Sequence, residues 1–170
     1  MKILIIALPR TGSTSLLNKY AKNFNLNGLF EPYDRSNRWI YKSNMNDVVV
    51  KTMIYHKPYG YSDIINGYVE LSKEFDEVIL LSRKNLNECA ESWAYLKHFN
   101  HRNFNSIKEY VWKNVPNLEK HTNDIINWNR ELIKIGEILN IELTYYEDIF
   151  NKNSNERYRK FITDEEKKLI

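Results

Sequence analysis

The sequence predicts an α/β fold: a parallel β-sheet flanked by helices on both faces, in three layers. Three observations carry this. The candidate strands are continuous apolar runs rather than alternating ones, as in Ile3 to Leu8, Val48-Val49-Val50 and Val78-Ile79-Leu80-Leu81, the pattern of strands buried on both faces. Segments with helical spacing of apolar residues separate these runs. No repeat, low-complexity tract or Pro/Gly/Ser-rich linker interrupts residues 1–170, so the chain reads as a single domain.

Lys2 to Leu8 is the first strand, and Pro9 to Ser13 breaks it. Thr14 to Phe24 follows as a helix, with Leu16, Leu17, Tyr20 and Phe24 on one face. Gly28-Leu29-Phe30 is a short second strand and Asp47 to Met53 a third. Ser62 to Phe75 is helical, with Ile65, Val69 and Leu71 at apolar positions. Glu77 to Ser82 is the fourth strand, Asn85 to Phe99 a helix, Asn117 to Leu139 a long helix and Ile141 to Tyr145 the fifth strand. Thr163 to Glu166 reads as a capping box that starts a terminal helix. In such sheets ligands sit at the carboxyl ends of the strands, near a reversal of strand order. The chemically unusual residues of this chain all fall there.

Composition narrows the function. With 42% hydrophobic and 28% charged residues the chain is globular rather than disordered. A net charge of +3 is too mild to point to nucleic acid but suits a pocket for an anion. Cys89 is the one cysteine, so no internal disulfide forms, and a reducing, cytoplasmic location is expected. The apolar start is too short for a signal peptide, and no stretch is long enough to span a membrane.

The strongest local signal is Leu8-Pro9-Arg10-Thr11-Gly12-Ser13-Thr14-Ser15, between a buried strand and a helix. Gly12 permits close backbone approach. The helix start presents unpaired N–H groups and the positive end of the dipole, which suits phosphate. Ser13 and Thr14 add hydroxyls, and Arg10 a permanent positive charge. The plainer reading is a strand-to-helix turn with a Ser/Thr cap. A P-loop nucleoside triphosphatase needs an earlier Gly and a Lys where Ser13 stands, and the strand ending at Ser82 lacks the acid that helps hold Mg²⁺.

This loop resembles the 5'-phosphosulfate-binding loop of the sulfotransferases that use 3'-phosphoadenosine-5'-phosphosulfate (PAPS). The resemblance implies a P-loop-like sulfotransferase fold, with PAPS as donor, 3'-phosphoadenosine-5'-phosphate (PAP) as product, and no metal. It implies that Arg10 faces the transferring sulfuryl group, while Thr11, Gly12, Ser13, Thr14 and Ser15 hold the 5'-phosphate. Two further segments fit it. Arg83 at the end of the fourth strand and Ser92 on the following helix resemble the family's 3'-phosphate site, although their offset of nine residues exceeds the usual eight, which Lys84 satisfies. Tyr145-Tyr146-Glu147-Asp148 resembles the segment whose Tyr lies near the adenine, which makes Tyr146 that residue. The family's C-terminal basic loop has only a partial counterpart in Arg157, Arg159 and Lys160, with no Gly after them.

Transfer to a hydroxyl requires a base. Val48 to Met53 resembles the strand that ends in Lys-Thr-His in cytosolic members, but Met53 stands in the His position. His56, three residues on, is one replacement. The carbohydrate and protein-tyrosine members use a Glu after the second strand, and Glu31 in Phe30-Glu31-Pro32-Tyr33 fits that place. Pro32 is expected to bias Glu31 towards an extended backbone. Glu31 is therefore the expected base, and Lys51 is expected to help stabilise charge on the sulfuryl oxygens or the leaving phosphate.

Three readings follow: a sulfotransferase acting on the hydroxyl of a small-molecule or carbohydrate acceptor, a PAPS/PAP-binding module without turnover, and a P-loop-like phosphotransferase. Trp39, Trp93, Tyr95 and Trp112 are candidates to line an acceptor site. No feature of the sequence specifies an oligomeric state.

Overall fold

The computed structural model of the chain describes residues 1–34, 41–58, 60–99 and 117–150. The expected terminal helix, Arg157, Arg159, Lys160, Trp39, Trp112 and the Tyr95 side chain lie outside the described residues. Among the described residues, β1 (Lys2–Ala7), β2 (Asn27–Phe30), β3 (Val48–Met53), β4 (Glu77–Ser82) and β5 (Leu143–Tyr145) alternate with α1 (Ser13–Phe24), α2 (Ile64–Ser72), α3 (Leu86–Phe99) and α4 (Leu118–Leu139), and α5 (Tyr146–Phe150) follows. All strand pairs are parallel, in the order β2-β3-β1-β4-β5.

The continuous apolar strands are explained by their two covered faces. Alternate residues of β1 belong to different cores. Leu4, Ile6 and Leu8 pack with Val48, Val50, Tyr68, Leu80, Ile125 and Leu132 on the side of α2, α3 and α4. Ile3, Ile5 and Ala7 pack with Leu16, Leu17, Val49, Ile79 and Leu81 on the side of α1. Residues Ile3 to Leu8 are accordingly fully buried.

The element ends have local causes. Asp63 accepts a hydrogen bond from the Asn66 N–H at 2.7 Å and starts α2. Asn85 does the same for the Glu88 N–H at 3.2 Å ahead of α3. The fifth strand is two residues shorter than its sequence suggests. Asn140 is left-handed after α4, and the Ile141 N–H bonds back to Gly136 O at 2.9 Å. That N–H completes a helix C-cap and does not join the ladder.

The chain runs from β3 on one side of β1 to β4 on the other, so the strand order reverses at the carboxyl end of β1. The Pro9–Ser13 loop occupies that point. Register brings Phe30 opposite Lys51 and Ala7 opposite Met53, which sets the ends of β2, β3 and β1 side by side.

Candidate functional site

Gly12 is the N-cap of α1, with φ 70 and ψ 17. No side chain caps this end, and no acid lies in the first turn. The helix start therefore presents donors and a positive dipole end to the crevice. Thr11 is fully buried, and its hydroxyl donates to Leu8 O at 2.7 Å, closing the loop. Ser13 is buried and Thr14 exposed. Arg10 reaches across to α3, where its Nε donates to Ser92 Oγ at 2.8 Å. This bond joins the loop after β1 to the helix after β4, two segments 82 residues apart.

Six described non-glycine residues have a positive φ: Arg10, Asn25, Glu31, Asp47, Asn117 and Asn140. Four are Asn or Asp, types that tolerate the left-handed region. The other two, Arg10 at φ 63 and Glu31 at φ 47, are the residues expected to face the sulfuryl group and to take the proton. Such strain persists only where the surroundings impose it, and it concentrates at functional sites.

Glu31 differs from its expected extended conformation. Its N–H bonds to Lys51 O at 2.7 Å, and its own carbonyl accepts the Asp34 N–H at 3.0 Å. These two bonds turn the chain sharply after β2 and override the bias that Pro32 imposes. The turn delivers the Glu31 carboxylate to Lys51 Nζ as an ion pair. Lys51 is 2% exposed, so it is not a surface strand-end lysine, and its buried charge requires this partner.

His56 lies beside the same pair. Glu31, Asp34 and His56 each bring a carboxylate or imidazole atom within 4.8 Å of one another. Asp34 Oδ2 is 3.9 Å from His56 Nε2. Lys51's ammonium brings a positive charge to this cluster through its pair with Glu31. Burial holds the His56 imidazole below its usual value, against the pull of Glu31 and Asp34 in the opposite direction. The fully buried Tyr68 fixes the 53–56 turn: its single O–H is shared between Met53 O at 2.8 Å and His56 O, and its oxygen meets Thr52 Oγ1 at 3.0 Å. The sequence reading did not single out Asp34 or Tyr68. Each lies in a turn or helix whose partner is remote in sequence.

Arg83 is buried at the end of β4 among acids. Its Nη2 donates to Glu88 Oε2 at 3.1 Å, and its Nε lies 3.5 Å from Glu147 Oε1 without forming a hydrogen bond. Its guanidinium stands 5.4 Å from the centre of the buried Tyr146 ring, so these two expected nucleotide contacts are neighbours. Lys84 turns outward to Asp148, and its backbone N–H bonds Glu147 at 3.1 Å. Ser92 accepts its bond from Arg10 rather than from Arg83. The Cys89 thiol is pushed up to about 12, chiefly by burial, and both Arg83 and Arg10 act on it in the opposite sense. Trp93 is 6% exposed and packs against Tyr55 and Trp128.

Comparisons with protein-family models, with curated proteins and with solved structures gave no match for this chain. Among the described residues no helix is long and apolar enough to cross a membrane.

Proposed function

We propose that this chain is a sulfotransferase of P-loop-like architecture that moves a sulfuryl group from PAPS to the hydroxyl of a small-molecule or carbohydrate acceptor. The observation that carries the reading is the pair of strained residues, Arg10 and Glu31, which follow β1 and β2 on either side of β3. One is a permanent cation at an uncapped helix start, and the other a carboxylate beside a buried lysine. The sequence resemblance supplies the chemistry: PAPS carries the sulfuryl group on its 5'-phosphate and leaves as PAP. Arg10 and Lys51 stabilise charge on the sulfuryl and phosphate oxygens. The N–H groups at residues 12–15 bind the 5'-phosphate. Arg83, whose Nε lacks a hydrogen bond, is directed to the 3'-phosphate, Ser92 is bonded to Arg10, and Tyr146 offers its face to the purine. Glu31 takes the acceptor's proton.

A second reading, a PAP-binding module without turnover, is favoured by the closed Lys51–Glu31 pair. Calorimetry and turnover separate the two. PAP should bind far more tightly than adenosine 5'-monophosphate, because charge-assisted bonds to the extra phosphate contribute about 1.5–3 kcal/mol each. Equal affinities would remove Arg83 from the site. Binding of PAP without sulfuryl transfer to any of a panel of alcohols, phenols and sugars would select the module. Preferential binding of Mg-ATP would select a phosphotransferase.

A further inference from the structure

We propose that His56 and Asp34 extend Glu31 into a proton relay, with His56 as the second proton acceptor and Asp34 as its positioning residue. The inference rests on the transfer reading above.

The geometry comes from two turns that the β2–β3 pairing brings together. After β2, the Asp34 N–H to Glu31 O bond folds the chain, and both carboxylates come within 4.8 Å of a His56 ring nitrogen. After β3, the His56 N–H to Met53 O bond at 2.8 Å makes a second turn, which Tyr68 anchors from α2. The outcome is one imidazole beside two carboxylates, with one atom of each within 4.8 Å of the other two.

His56 is only 10% exposed on its side chain, and its Nδ1 is buried without a hydrogen-bond partner. The Tyr55 ring meets it edge-on at 4.4 Å. The charged groups that face it among the described residues are Glu31 after β2, Asp34 in the turn, Lys51 on β3 and Lys97 on α3. The two acids favour the imidazolium and the two lysines oppose it, while burial favours the neutral ring. A neutral imidazole next to two carboxylates is a proton acceptor whose charged form is stabilised once formed.

In the transfer step the acceptor's O–H bond breaks and its oxygen forms a bond to sulfur. The bond from sulfur to the bridging oxygen breaks, and its electron pair leaves with PAP. The proton goes to the Glu31 carboxylate. It then passes to a His56 ring nitrogen, which restores Glu31 as the carboxylate that Lys51 requires. Release of the proton from His56 to water resets the site.

The test uses the full chain in two measurements. The Hε1 resonance that disappears in His56→Gln identifies His56 in a proton NMR titration. Its midpoint should fall in Asp34→Asn, and again in Glu31→Gln, since each change removes a negative charge that favours the imidazolium. An unmoved midpoint in both variants overturns the relay. The kcat for transfer from PAPS should fall by about 10²-fold in His56→Gln. Its acid limb should move to lower pH in Asp34→Asn, and a merely structural Asp34 would not move it. Undiminished kcat in His56→Gln overturns the relay alone. Absence of transfer to every acceptor in the unmodified chain overturns the transfer reading and the relay with it, even where the NMR midpoints move.

Discussion

Arg10 and Glu31 hold unfavourable backbone conformations for different local reasons. Arg10 is pinned by its bond to Ser92 and by the closure of the loop through Thr11. Glu31 is pinned by its N–H to Lys51 and by the turn to Asp34. A left-handed conformation costs a non-glycine residue about 1–2 kcal/mol, so each side chain is set in place before any ligand arrives. This predicts how the two variants divide. Arg10→Ala should lower the rate of transfer by about 10²–10³-fold, the usual loss when one charge-stabilising donor is removed. It should weaken PAP binding much less, since PAP lacks the sulfuryl group. Turnover unaffected by Arg10→Ala would show that the loop does not work as proposed.

Glu31→Gln keeps the shape and the reach to Lys51 but cannot accept the proton. Transfer should slow by about 10²–10⁴-fold with PAP affinity nearly unchanged. Calorimetry alongside steady-state kinetics reads both quantities. A large fall in PAP affinity with an unchanged rate would make Glu31 a nucleotide contact instead of a base.

At the scale of elements, most of the architecture was legible because burial on two faces leaves a direct imprint. Five apolar runs became five strands, and four helical periodicities became α1 to α4. Apolar pattern reports how an element is covered, but not which loops meet. That is why the sequence pairs Ser92 with Arg83 while the fold joins it to Arg10. It is also why Glu88 at the start of α3 and Glu147 in α5 went unnoticed as partners of Arg83. The left-handed turn at Glu31 was hidden for a further reason. The bias that Pro32 imposes is local, and two hydrogen bonds to other segments outweigh it. The packing of α4 yields a prediction of the same scale. A Cβ at Gly136 would lie 2.7 Å from Ile141 O and 3.2 Å from Leu80 Cδ1. Gly136→Ala gains about 1 kcal/mol of helix propensity but forces backbone apart where overpacking costs about 1–3 kcal/mol. The urea midpoint should fall. A rise would mean that the C-cap at Asn140 and Ile141 yields without loss.

For the molecule as a whole, the Arg10–Ser92 bond matters most, because it ties the loop after β1 to the helix after β4 across the reversal in strand order. A nucleotide that spans Gly12 and Arg83 binds both halves of the sheet at once, and only when both are folded. Ligand binding then stabilises the entire domain by mass action. At a PAP concentration a hundred times its Kd the gain is about 2.7 kcal/mol. For a domain of this size that corresponds to a rise in Tm of roughly 5–10 °C. Adenosine 5'-monophosphate at the same concentration should raise it much less, because it leaves Arg83 with only Glu88 and Glu147. Ser92→Ala should lower the Tm of the ligand-free chain slightly, since Arg10 loses its partner, and reduce the PAP-induced rise, since the proposed 3'-phosphate site loses a hydroxyl. Scanning fluorimetry on the two chains with each nucleotide measures all four values. The same rise for both nucleotides in the unmodified chain would confine binding to the loop after β1. A rise produced by Mg-ATP and not by PAP would transfer the whole site to phosphoryl chemistry.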